Sequence, residues 1–379
     1  MQMRRDRRRR RRRTRTLLLA IAAIVVAAAV VGVVWVVNAT RPAPETAAAE
    51  TPAPTASAAE PDAPGDPIDE LLAQSGDPNA CAVTFAGDGI DLEPQLQTAG
   101  LRYQGLPIPA RDGLVFGGWY TSADAATALD AAARVNGGVL VACTDRRIEL
   151  HGGWTTPERL AAADVRVPIL MYHQFTTNPA GEDTSLKLNY IYTADFDAQM
   201  AYLADTGFYF PTWDELDAFI DGRLWLPERS VIVTDDDADR TWLELGVPIV
   251  AAHEVPTTSF VITKWRTEPT PSVWVDQRSH THDMHDPGAN GQGRMVNWSA
   301  AEIAADLETS AQILGAKEVI AYPFGHYNET SKEGVAQAGY ALARTIEQGY
   351  VRVGTDKLAL PCIRVNYGTT LGEFIAAVG

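Results

Sequence analysis

Two short segments hold side chains whose types and spacing suit chemistry. Thr234-Asp235-Asp236-Asp237-Ala238 closes the apolar run Ser230-Val231-Ile232-Val233, and Ser279-His280-Thr281-His282-Asp283-Met284-His285 follows further along. Carboxylates at the end of one buried strand and histidines at the end of another are what a divalent-metal site needs. Mixed imidazole and carboxylate donors suit zinc and its borderline neighbours. Strand ends are also where α/β enzymes place chemistry, because the scaffold is rigid and the loops open to substrate. The pair points to metal-assisted hydrolysis. The bland alternative is a solvated acidic loop and a polar histidine loop, but a Val-Ile-Val strand has no reason to end in three unused carboxylates.

The elements that must position these residues begin near residue 165. Strand signals at 165–172, 230–234, 258–263, 319–322, 341–346 and 362–365 alternate with helical ones at 196–203, 302–314 and from Thr370. Repeated strand–helix units predict an α/β fold, a parallel barrel or a doubly wound sheet. The first strand ends at His173, which should therefore face the same rim as the aspartates. That histidine is a candidate for substrate contact or the acid step, and equally for a structural role. His326, directly after Gly325, is a weaker candidate of the same kind.

Residues 68–155 predict a separate small α/β module, with strands at 81–85 and 138–143 and a helix over 125–135. Phe116, Trp119 and Tyr120 are expected in its core, with a glycan-stacking surface as the alternative. Cys81 and Cys143 both fall in this module and are the expected disulfide pair; Cys362 is left as a small buried residue.

The chain has 379 residues and a formal charge of −16. Residues 1–16 carry ten arginines and one aspartate, so this basic tail contrasts with an acidic remainder. Residues 17–37 contain no polar side chain, and as a helix they would rise about 31 Å, close to the hydrocarbon thickness. Arginines on the N-terminal flank hold that end in the cytoplasm. The expectation is a single-pass membrane anchor with the acidic bulk outside; a signal peptide cleaved after Val37-Asn38-Ala39 is the rival. Residues 38–67, rich in Ala, Pro, Thr and Glu, predict an extended tether. The acidic ectodomain argues against nucleic acid and polyanions as partners. No protein partner is implied.

Residues 165–379 resemble the polysaccharide deacetylases, carbohydrate esterase family 4. The likeness rests on Pro168-Ile169-Leu170-Met171-Tyr172-His173, then Phe196-Asp197-Ala198-Gln199-Met200, with Leu226-Pro227 ahead of the first aspartate motif. The family's Thr-Phe-Asp-Asp-Gly aligns on Thr234 to Ala238, its His-Thr-x-x-x-His on His280 to His285, and its Tyr-Pro-Phe-Gly on Tyr322 to Gly325. The resemblance implies a distorted seven-stranded (β/α) barrel that removes N-acetyl groups from an extracellular polysaccharide. It implies Asp237, His280 and His285 as ligands of one divalent metal, zinc first, and Asp236 as general base. The backbone N–H of Phe324 would help hold the oxyanion. His282 would face away or make outer contacts, and Asp283 could orient a ligand imidazole.

Three departures accompany the likeness. Asp235 and Ala238 replace the family's Phe and Gly, and strand alternation can place Asp235 and Asp237 on one face, so the register stays open by one. No arginine stands near Tyr322 to pair with the base; Ala321 precedes it directly. The C-terminal Leu-His that supplies the acid in many members is missing from Leu360-Pro361-Cys362-Ile363-Arg364-Val365. Peptidoglycan is the natural substrate of a surface-tethered enzyme, and an N-acetylglucosamine exopolymer is the alternative. The rival from another class is a pseudoenzyme that binds glycan without turnover.

Overall fold

The computed structural model describes residues 66–379. The basic tail, the apolar segment 17–37 and nearly all of the tether lie outside the described residues. Among those described, no helix is long and apolar enough to cross a membrane.

Helix α1 (Pro67–Ser75) leads into strands β1 (Ala80–Ala86), β2 (Gln95–Thr98) and β3 (Val115–Tyr120). Helix α2 (Ala123–Ala128), β4 (Arg134–Val135), β5 (Arg147–Thr155) and α3 (Pro157–Ala163) follow. The strands form a five-stranded sheet in the order β2-β1-β5-β3-β4. Phe116, Trp119 and Tyr120 on β3 are buried core residues, not a stacking surface. The Cys81–Cys143 disulfide is present, and Cys362 is free and buried.

Two local expectations fail here. The helix predicted over 125–135 stops at Ala128, because Leu129 turns left-handed (φ 54°) and buries its side chain beside Tyr120 and Ala126. The chain then makes a short turn capped by Asp130 before β4. The predicted strand at 138–143 is irregular, contributing one isolated bridge from Leu140 to Arg102. Its Cys143 is held by the disulfide rather than by a ladder.

The second layer comprises β6 (Ile169–Tyr172), β7 (Gln174–Thr176), β8 (Tyr190–Tyr192), α4 (Thr193–Asp205), α5 (Trp213–Ile220) and β9 (Ile232–Asp237). Next come α6 (Val247–Ala252), β10 (Thr257–Val261), β11 (Val275–Ser279), α7 (Ala300–Leu314) and β12 (Val319–Ala321). Helix α8 (Glu329–Gln337), β13 (Leu342–Gln348), β14 (Leu360–Arg364) and α9 (Leu371–Val378) end the chain. Seven strands close into a barrel in the order β10-β11-β12-β13-β14-β6-β9. Every pair in it is parallel. Strand alternation gives each strand two buried faces. Leu170, Tyr172, Val231 and Val233 pack with Phe196, Met200 and Leu203 of α4. Ile169, Met171, Ile232, Phe260 and Leu342 belong to the other core.

That other core runs on into the five-stranded sheet, through Phe116, Trp119, Leu150 and Leu224. A buried polar cluster reinforces the junction. Glu215 of α5 accepts hydrogen bonds from Tyr209 Oη (2.5 Å), Arg134 Nη2 (3.2 Å) and Asn136 Nδ2 (2.6 Å). The sequence predicts residues 68–155 as a separate module, but the sheet and barrel share one core, and the described residues 66–379 fall in one compact unit.

Candidate metal centre

The aspartate and histidine segments meet at the C-terminal rim of the barrel. Strand β9 runs through Thr234, Asp235 and Asp236 and ends at Asp237, where the backbone turns left-handed (φ 75°) and stays so at Ala238 (φ 50°). This turn breaks the alternation, so Asp235 and Asp237 do not share an environment. It is Asp237, not Asp235, whose carboxylate lies with His280 and His285.

Asp235 lies against its ladder partner Ser259, whose Oγ donates to Oδ2 at 3.2 Å. It is fully buried, and burial with the neighbouring carboxylates pushes its acid group well above the ordinary carboxylate value. Asp236 meets Arg344 of β13, whose guanidinium donates to both carboxylate oxygens. Burial alone would raise the Asp236 carboxyl, but the Arg344 charge, then His173 and His280, outweigh it and hold it below the ordinary value. His173 Nε2 stands 3.7 Å from Asp236 Oδ2, and burial lowers the affinity of its ring for a proton despite that carboxylate.

Asp237 Oδ1 faces His280 Nε2 at 3.4 Å and His285 Nε2 at 3.3 Å. The three side chains offer ligand atoms within 4.8 Å of one another. Asp237 Oδ1 is buried yet lacks a hydrogen bond of good geometry. A buried carboxylate oxygen with no hydrogen-bond partner, facing two imidazole nitrogens, is an arrangement that could hold a cation. His280 Nδ1 lies 2.9 Å from the Ala321 carbonyl, which only accepts. Nδ1 therefore carries the proton, and the Nε2 lone pair points into the cluster. Burial and the neighbouring His280 lower His285 to about 4, whereas at His280 the Asp237 and Asp236 carboxylates outweigh burial and raise the ring. These residues fit a divalent metal by donor type and number.

The histidine loop has its own supports. Thr281 takes a left-handed turn (φ 71°), and its N–H donates to Ser279 Oγ at 3.0 Å. Asp306 of α7 accepts the backbone N–H groups of His282 and Asp283, each at 2.7 Å. Met284 is fully buried, which fixes the loop between His280 and His285. His282 turns away and meets Thr263 Oγ1 through Nδ1 at 3.1 Å.

Several expectations change. Asp283 does not orient an imidazole; it pairs with Lys264 (2.5 Å) and Arg294 (2.7 Å), while a backbone carbonyl orients His280. His326 is tied to the neighbouring loop, its Nδ1 accepting the Gly293 N–H at 3.0 Å. Phe324 is at the rim, left-handed (φ 58°), with its ring 4.4 Å from His285. The arginine that sequence found missing is supplied by Arg344, which pairs with Ala321 across the β12–β13 ladder. Its signal was legible: a fully buried arginine in the apolar strand Leu342-Ala343-Arg344 needs a partner. Asp306 carried no comparable signal, since it reads as one more polar residue on an amphipathic helix.

Residues 225–343 match the family described as polysaccharide deacetylase. The poly-β-1,6-N-acetyl-D-glucosamine N-deacetylase of Staphylococcus aureus (strain MRSA252) is 26% identical over 195 residues, covering 46% of this chain and 67% of the relative. Among solved structures, the Streptococcus pyogenes deacetylase PplD in complex with acetate is 22% identical with a TM-score of 0.48, over 57% of this chain and 99% of that one. IcaB from Ammonifex degensii is 22% identical with a TM-score of 0.47, over 56% of this chain and 96% of that one.

Proposed function

We propose that this chain is a metal-dependent N-deacetylase acting on an N-acetylglucosamine exopolymer outside the cell. The observation that carries it is the orphaned Asp237 oxygen facing His280 and His285, with Asp236 clamped beside it. The choice of an exopolymer over peptidoglycan follows the substrate named for the staphylococcal relative. The apolar segment 17–37 supports an anchor with the catalytic part on the outer face.

Asp237, His280 and His285 would hold one divalent metal, with zinc best suited to the donors. When bound, such a metal polarises the amide carbonyl and makes water a better nucleophile near neutral pH. Asp236 takes the proton from the attacking water as the C–O bond forms. Its pairing with Arg344 keeps it ionised and oriented for that task, and each carboxylate oxygen has a second lone pair for the proton. The Phe324 N–H donates to the developing oxyanion. As the C–N bond breaks, the leaving amine needs a proton, and His173, 3.7 Å from Asp236, is placed to relay it. Acetate and a free glucosamine unit result.

The test is acetate release by the purified zinc-loaded chain from β-1,6-linked N-acetylglucosamine oligomers. Release that disappears on chelation and in Asp236→Asn is expected. Stoichiometric glycan binding with no release above the Asp236→Asn background would instead establish a non-catalytic binder.

A further inference from the structure

Trp265 stands beside the metal cluster with 62% of its surface exposed. Its position is not that of a loose side chain. The turn after β10 is closed by the N–H groups of Trp265 (3.0 Å) and Arg266 (3.2 Å) on the Ile262 carbonyl. Two further backbone bonds stitch this turn to the histidine loop, Thr263 N–H to Thr281 O (3.1 Å) and Lys264 N–H to His282 O (3.3 Å). The Lys264–Asp283 ion pair joins the same two segments. The backbone that carries the indole is therefore tied to the histidine loop, and the ring lies 5.9 Å from His285 and nearly edge-on.

An indole on a well-bonded turn with an open face is unusual, because an aromatic ring gains most by covering that face. Trp265 also lines an open cavity of about 640 Å³ that includes Asp237, Leu243, Ile262 and Glu268. That space exceeds what an acetamido group needs and lies in the range of small-molecule sites. The apolar wall is Trp265, Leu243 and Ile262; among the described residues no ion pair engages the Glu268 carboxylate. One apolar plane with an acceptor beside it matches a pyranose ring, which has a flat C–H face and hydroxyls around its edge.

We propose that Trp265 is the stacking platform for an N-acetylhexosamine unit next to the one being deacetylated. The site then selects oligomers over single sugars. This rests on the deacetylase function proposed above, and it concerns binding rather than the chemical step.

The test uses the full, zinc-loaded chain with a β-1,6-linked N-acetylglucosamine pentamer and with N-acetylglucosamine itself. Trp265→Ala should raise KM for the pentamer about tenfold, the size of one aromatic contact. Its kcat and zinc content should stay near wild type, and its kinetics on the monosaccharide should not change. Trp265→Phe, which keeps an aromatic face, should recover most of the loss. A wild-type KM for the pentamer in Trp265→Ala overturns the platform while leaving the deacetylase function intact. Calorimetric titration of the pentamer separates the two ideas. Binding by wild type and not by Trp265→Ala, with no acetate released by either, keeps the platform and removes the deacetylase. Absence of pentamer binding by the wild type overturns the platform.

Discussion

Arg344 grips both carboxylate oxygens of Asp236 from β13, a strand that carries none of the aspartate or histidine segments. Both side chains are buried, so each supplies the charge that the other needs to remain ionised. The pair ties the base to the barrel wall and leaves Asp237 alone to face the histidines.

Arg344→Met should be strongly destabilising, by about 3–5 kcal/mol, since it leaves a buried carboxylate without its partner. The sign with pH follows from the lowered Asp236 carboxyl. A depressed folded-state value adds stability above the unfolded carboxyl range, and that stability is lost as pH falls through the folded value. The gap between wild type and Arg344→Met in urea unfolding should thus be full at neutral pH and shrink in acid. In the folded fraction, the acid limb of kcat/KM should move to higher pH. An unmoved acid limb would show that Arg344 does not tune the base.

Asp235→Asn and Asp236→Asn should behave in opposite ways. Asp236→Asn should keep its metal by elemental analysis and lose about 10²–10⁴-fold in turnover, as removal of a general base does. Asp235 is fully buried, its acid group is pushed well up, and it is bonded to Ser259, so Asp235→Asn should stay near wild-type activity. The reverse pattern would mean that the base is one residue earlier in the strand.

His173→Gln tests proton delivery to the leaving amine. Turnover should fall with metal content and melting temperature preserved. Burial lowers the His173 ring from its ordinary value, so the wild-type alkaline limb should begin below the usual histidine range. That limb should flatten in His173→Gln. Near wild-type turnover and an unchanged profile would assign His173 to structure.

Glu215→Ala should show that residues 66–155 and the barrel fold together. It strands the fully buried Arg134 side chain and frees Asn136 and Tyr209. A loss of about 3–5 kcal/mol is expected, in a single urea transition seen alike by tryptophan fluorescence and circular dichroism. Two separated transitions would restore the picture of independent modules.

Much of the site was legible in the sequence because its parts are local. Strand ends are announced by apolar runs, and the donors lie within a few residues of those ends at Asp236, Asp237, His280 and His285. Local periodicity gave a parallel α/β fold, barrel or doubly wound sheet, and the closed barrel is seen only in the tertiary structure. What was misplaced depends on partners distant in the chain. The helix over 125–135 is cut short by Leu129 seeking Tyr120 and Ala126. Asp283 is drawn from the histidines by Lys264 and Arg294.

Residue types and order determined the candidate donors, the parallel α/β class and the contrast between a basic N-terminus and an acidic remainder. Only the tertiary structure decided how three consecutive aspartates divide their roles. Asp235 is buried beside Ser259, Asp236 is paired with Arg344, and Asp237, where the backbone turns left-handed, faces His280 and His285. The physical reason is that a carboxylate's charge and direction are set by what surrounds it within a few ångströms. For Asp236 that partner comes from β13, brought beside β12 in the barrel wall so that Arg344 pairs with Ala321.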